Sequence, residues 1–226
     1  LFRSGRSYAL AALALALTIA THLMTGYLAV LTVPVWVVLA RSGLLRRALR
    51  GAVVVIGGAL TAAWVLVPLL ADRRYSTQSE AYKGTIFNDS YGARKILGWL
   101  VGGDLYDRGR FPLLTLLLLV GFVVCAVRAR RSEPARAVLA AWTLSLLLFF
   151  GRAFWGGLTG VLPSSGDLQM HRFVMGVHLA GLFIAGVGLV TVAQAVRTTL
   201  AALVDADPDP MRQIVTLGAT TLVVLA

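Results

Sequence analysis

Charge is scarce in this chain, and acid is scarcer than base. Of 226 residues 14 % are charged, with 10 Asp and Glu set against 21 Lys and Arg. With 58 % of its residues hydrophobic, the chain has too little polar surface to clothe a water-soluble domain. A mean hydropathy of +0.80 indicates a polytopic membrane protein instead. Lysine is nearly missing: Lys83 and Lys95 are the only two, and 19 arginines supply the rest of the basic charge. That bias points to a GC-rich genome more than to a mechanism. Cysteine is represented by Cys125 alone, which rules out an internal disulfide or a thiolate metal site and suits a small core residue. A cleavable signal peptide is missing from the first residues, and so is an initiator Met. Because the sequence also stops inside the apolar run from Ile214 to Ala226, it reads as an internal piece of a longer chain.

What is present is a series of apolar blocks separated by short basic loops. The formal charge of +11 would suggest nucleic acid in a soluble protein. Here it lies between membrane spans, where arginine sets orientation and meets anionic headgroups, and no basic face with interleaved aromatics lies outside the membrane. The expected fold is therefore all-α: a polytopic transmembrane bundle of about seven hydrophobic helices, some short or broken, forming a single domain over 1–226.

The first block, residues 7–40, is 34 long. As one helix it would measure about 51 Å, well beyond the hydrocarbon thickness. Two short helices meeting near His22 fit better, with one long tilted helix as the alternative, and Pro34 should kink the second half. The loop 41–50 carries Arg41, Arg46, Arg47 and Arg50 with no acid, which marks the cytoplasmic side. Residues 51–71 then read as a clean span of 21 residues, followed by a polar extracytoplasmic loop over 72–110. A span from Phe111 to Val127 leads into a second basic stretch, 128–136, again on the cytoplasmic side. The alternation sets 72–110 and 156–170 outside, and the expected setting is the cytoplasmic (inner) membrane. A helix from Ala137 to about Trp155 and another from Phe173 to Val196 complete the clear spans, and 214–226 begins one more.

Polar side chains that are not inside-loop arginines collect on the expected outer face. Arg152, set among Phe149, Phe150, Phe154 and Trp155, costs roughly 2.5–3.5 kcal/mol at mid-bilayer and less near the interface. A carboxylate, backbone carbonyls or a bound anion must offset that cost, and the planar guanidinium suits phosphate. Arg172 is a second candidate of the same kind, with snorkelling to the interface as the alternative for both. Ahead of Arg172, the sequence Pro163-Ser-Ser-Gly166 breaks the chain, and Ser165 or Asp167 is positioned to cap the next helix. His171, Met175 and His178 would then share one helix face. His22, His171 and His178 fall at the outer level or in the outer third, but the spacing of the last two argues against a shared metal. No cofactor is expected, with a divalent cation as the alternative.

The outer loop brings Tyr91 and Trp99 together with acids such as Asp89, a combination suited to a polyhydroxylated ligand. Ile96, Leu97, Leu100 and Val101, beside Arg94 and Lys95, predict an amphipathic helix on the membrane surface. Asp104 and Asp107 read as solvated loop acids, with a cation site as the alternative. Asp205-Ala-Asp207-Pro-Asp209-Pro reads as a solvated linker.

The run from Leu13 through His22 to Tyr27 resembles the short, histidine-bearing helix pair of multi-spanning GT-C-type glycosyltransferases. Ala62 to Leu70 before a long outer loop is similar, as is Arg172-Phe173 opening a late helix. The resemblance extends to bacterial 6-pyruvoyl-tetrahydropterin synthase-related membrane proteins, which look like relatives of the same fold. It implies transfer of a sugar from a polyprenyl-phosphate donor to an extracytoplasmic acceptor. On that reading Arg152 and Arg172 hold the lipid phosphate with His171, His178 or His22, while Tyr91, Trp99 and Asp89 border the sugar or acceptor cleft. The family's catalytic acid sits in a first outer loop, and this chain reads as beginning after that loop, so no catalytic base maps onto it. The expected partners are membrane lipids and the polyprenyl-phosphate sugar, with no nucleic acid. A transporter or lipid flippase, or a non-catalytic scaffold, are the competing readings.

Overall fold

A computed structural model describes residues 5–39, 43–72 and 82–204. Every regular element among them is helical. Asp205, Asp207, Asp209 and the apolar run 214–226 lie outside the described residues.

The first apolar block is two helices, α1 (Gly5–Thr21) and α2 (Leu23–Val38), with His22 between them. His22 is extended at φ −155° and caps α2, its Nδ1 accepting from the Thr25 N–H at 3.3 Å. One residue outside the helical region is enough to turn the chain, because it ends one hydrogen-bond ladder and begins the next. Pro34 lies inside α2, which continues to Val38.

The basic stretch 41–50 is not a loop throughout, since α3 (Leu44–Thr61) takes in Arg46, Arg47 and Arg50. The span expected over 51–71 is likewise not a single straight helix. It breaks at Ala62, and α4 (Ala63–Ala71) leaves at 73° to α3. The polar segment then forms α5 (Ile86–Asp89) and α6 (Ala93–Gly102). Within α6 only Ile96 is buried, while Leu97 and Val101 are exposed.

Next come α7 (Leu113–Arg128) and α8 (Glu133–Phe150). The latter stops short of Trp155 because Gly151 has φ +66°, so Arg152 opens a separate turn, α9 (Arg152–Trp155). Three 3₁₀ turns follow, at Gly156–Val161, Ser165–Asp167 and Met170–Phe173, before the long α10 (Val174–Val204). The helix after the Pro-Ser-Ser-Gly break therefore starts at Val174, behind a 3₁₀ turn that opens after the extended Gln169, and not directly after Ser165 or Asp167. His171 lies in that tighter turn, so the 3.6-residue spacing assumed for His171, Met175 and His178 does not extend to it.

Among the described residues, two helices are long and apolar enough to cross a membrane, Glu133–Phe150 and Met170–Ala202 (its first turn 3₁₀), and a third qualifies if α3 and α4 count as one bent span. Ser7–Thr21, Leu23–Val38 and Leu113–Arg128 are apolar but shorter, so a count of seven spans is not established.

The fold divides into two compact units, one drawn from Leu1–Leu97 and Ala140–Val177, the other from Gly98–Leu139 and His178–Ala226. In the first, α1 packs against α2 and α3 around Leu15, Ala16, Ile19, Val54 and Ala62. A Cβ on Gly26 would lie 2.7 Å from the Ile19 Cα, so α1 and α2 pack almost backbone to backbone. In the second, α7 meets α10 at Gly121 and Gly188. A Cβ there would come within 1.8 Å of the Ile184 carbonyl oxygen or 2.0 Å of that of Leu117. Small residues at such a crossing suit an apolar environment, where close backbone packing replaces the hydrophobic drive between helices.

Candidate functional site

The first unit contains an open cleft of about 370 Å³, lined by Thr21, His22, Leu23, Met24, Asp167, Gln169 and Arg172. Two breaks in the helical pattern create it. At one, α1 ends and α2 begins. At the other, the 3₁₀ turns before α10 carry Asp167, Gln169 and Arg172 to the same place. Tyr27 on α2 ties these segments together, its hydroxyl donating to the Pro163 carbonyl at 2.9 Å and its ring lying 6.4 Å from that of Phe173.

The chemistry of the cleft follows from its side chains. Arg172 is exposed. His22 is exposed too, and its cap fixes its tautomer: Nδ1 accepts from Thr25, so in the neutral ring the proton sits on Nε2. His22 and Arg172 thus line one opening, together with Leu23 and Met24 of the first turn of α2. The donors that an arginine and a neutral imidazole carry are chemically suited to an anion with several oxygens. Among the described residues of the lining, Asp167 is the only carboxylate.

Arg152 is used differently. Nη1 donates to the carbonyls of Asn88 at 2.7 Å and Leu168 at 3.1 Å, Nη2 donates to that of Ser165, and Asp89 Oδ1 lies 3.8 Å away. Of the three offsets expected for a lipid-exposed arginine, this residue takes carbonyls and a carboxylate, all from its own chain. It clamps the end of α5 to the turns at 165–168. Ser90 strengthens the same junction by donating its hydroxyl to the Phe149 carbonyl.

The other expected site residues are dispersed. His171 is half-buried, its Nδ1 paired with the Phe87 carbonyl and its ring set edge-on to that of Phe87 at 5.3 Å. Asp89 also accepts from Asn88 Nδ2 at 2.8 Å. Tyr91 packs edge-on against Phe149 at 6.2 Å, with the Lys95 ammonium 5.2 Å over its own ring. None of these three lines the cleft. His178 and Trp99 belong to the second unit. There His178 Nε2 pairs with the Leu105 carbonyl at 2.9 Å, the Tyr106 ring lies 5.4 Å from its imidazole, and the Trp99 carbonyl accepts from Leu105 N–H at 3.1 Å. No group of three or more His, Cys, Asp or Glu among the described residues is arranged to hold a metal.

Asp107 is not the solvated acid that the sequence suggests. It is buried, and its carboxylate accepts from Leu114 N–H at 2.9 Å, Thr115 N–H at 3.0 Å and the Thr115 hydroxyl at 2.7 Å, capping α7 from the preceding loop. Desolvation alone would raise its pKa, but the hydrogen bonds from Thr115 and Leu114 outweigh it and hold the carboxyl below its ordinary value. The spacing from Asp107 to the start of α7 at Leu113 is too long for a standard N-cap pattern, so no sequence signal marks it. Gln169 and Thr21 also line the cleft; each sits beside residues that the sequence does single out, but an amide or a hydroxyl carries no charge to mark it as a site residue.

The sequence profile of a family described as "6-pyruvoyl-tetrahydropterin synthase related domain; membrane protein" matches residues 1–206. No curated protein and no solved structure matches the chain. The family match agrees with the resemblance to this group of membrane proteins and gives no support to a GT-C glycosyltransferase fold.

Proposed function

We propose that this chain, which belongs to the 6-pyruvoyl-tetrahydropterin synthase related family of membrane proteins, binds the phosphate of a polyprenyl-linked sugar and transfers that sugar to an extracytoplasmic acceptor. The observation that carries the reading is the cleft in which Arg172 and His22 stand together beside Asp167. Its volume falls within the usual range for small-ligand sites. In the proposed reaction the bond from the sugar's anomeric carbon to the phosphate oxygen breaks, and a new bond forms from that carbon to an acceptor hydroxyl oxygen. The electron pair of the broken bond stays on the phosphate, where Arg172 and the His22 Nε2–H stabilise the added charge. The hydroxyl proton is assigned to Asp167. Arg152 acts at one remove, holding 165–168 where Asp167 and Gln169 enter the cleft. The orientation that goes with this reading places 41–50 and 128–136 in the cytoplasm of the inner-membrane host, with 72–110 and 156–170 outside.

The test is transfer from a labelled polyprenyl-phosphate sugar in membranes that hold the full chain. Arg172→Ala should lower turnover by about 100-fold, as loss of one charge-stabilising donor does elsewhere. Arg172→Lys should keep part of it. Turnover unchanged in Arg172→Ala overturns the assignment.

A second reading, movement of the lipid-linked sugar across the bilayer, is favoured by the 73° break between α3 and α4, since broken helices line many transport pathways. It predicts that the labelled lipid changes leaflet with its sugar–phosphate bond intact.

A further inference from the structure

The first two turns of α3 are the part of the basic stretch that sequence reading treats as loop. Making them helical has a geometric consequence. Leu45, Leu49, Val53, Ile56 and Leu60 fall within about 80° of arc at 3.6 residues per turn. All five are between 57 % and 74 % exposed. Gly51, Val54 and Gly58 lie on the opposite side and are buried against α1 and α2. Arg46 and Arg50, one turn apart, border the exposed stripe along a single flank at its N-terminal end, and Arg46 is exposed.

The geometry points to the N-terminal half of α3 as a binding surface for anionic phospholipid, with acyl chains along Leu45, Leu49 and Val53 and a headgroup phosphate between Arg46 and Arg50. A lipid matches this face in both parts, apolar along the stripe and anionic at its end. A second copy of the chain does not. Residues 1–71 contain six arginines and no Asp or Glu, so a symmetric pair of these faces would set arginines against arginines with no acid from this region to separate them. This surface is independent of the cleft and of the reaction assigned to it.

The test uses the purified full chain, equilibrated with vesicles holding phosphatidylglycerol and phosphatidylcholine in equal amounts. Lipids retained by the protein are then counted by native mass spectrometry. Phosphatidylglycerol should be retained preferentially. Each arginine near an anionic surface is worth roughly fivefold in affinity, so Arg46→Ala/Arg50→Ala should cut the preference by about tenfold or more. Arg46→Lys/Arg50→Lys, which keeps the charge and the helix, should preserve most of it. Equal retention of the two lipids by the unaltered chain overturns the proposal, as does a preference that survives in the double alanine variant. It is also overturned if Leu49→Cys, in a Cys125→Ala background, crosslinks efficiently to a second copy in the membrane.

Discussion

At the scale of single residues, similar side chains do different work because their surroundings differ. Arg152 and Arg172 read alike in the sequence, as arginines beside aromatic or apolar runs. The first has its donors turned to Asn88, Ser165 and Leu168, whereas the second stands exposed at the cleft. Arg152→Ala should therefore lower stability by roughly 2–4 kcal/mol, since three carbonyls and Asp89 lose a charged partner together. Thermal unfolding in detergent measures this, and a loss of activity without a loss of stability would contradict the clamp. His22 separates two roles within one side chain. His22→Asn keeps a good N-cap and should leave stability nearly unchanged while weakening phosphate binding. His22→Ala should weaken binding and also cost about 1 kcal/mol of stability. Phosphate-dependent shifts in unfolding temperature distinguish the two. Asp107 gives a pH prediction of definite sign. Its carboxyl is held below the ordinary value, so its contribution to stability is present above the unfolded pKa of about 3.9 and is lost as pH falls through the lowered folded value. Asp107→Asn should be less stable than the parent at neutral pH by about 1 kcal/mol, with the gap closing in acid.

At the scale of elements, the breaks matter more than the helices. Hydropathy locates α1, α2, α7, α8 and α10 because a bilayer core tolerates only long apolar segments with satisfied backbone. It does not fix where each one ends. The end of α8 depends on Gly151, whose positive φ suits glycine and whose missing Cβ leaves room for the Asp89 carbonyl 2.2 Å from where that carbon would sit. Gly151→Ala combines a strained backbone with a backbone clash and should cost several kcal/mol, seen as a lowered midpoint of unfolding. The turn at His22 was visible as an interruption in an overlong apolar block. The 73° bend at Ala62 was not, since an Ala-Ala-Trp sequence is compatible with continuous helix and only the packing of Ala62, fully buried, shows the corner.

At the scale of the whole molecule, membership of a membrane-protein family and two or three candidate spans agree with what composition alone demands. The proposed orientation can be checked with two single-cysteine variants, each in a Cys125→Ala background: Gly43→Cys on the basic side, and Lys83→Cys in the polar segment between α4 and α5. In intact cells a membrane-impermeant thiol reagent should label the second and spare the first. The reverse pattern would invert the topology and move the proposed cleft away from an extracytoplasmic acceptor.

Class, membrane setting and helical content were determined by the sequence itself, because transfer of apolar side chains from water and full backbone hydrogen bonding depend on local composition. The identity of the candidate site was decided by tertiary structure. Asp167, Gln169 and Arg172 stand more than 140 residues along the chain from Thr21 and His22, and no periodicity connects such distant segments. Whether an arginine is a clamp or a ligand depends on which carbonyls lie within about 3 Å of its fork. That is a property of the packed chain, and it separates Arg152 from Arg172.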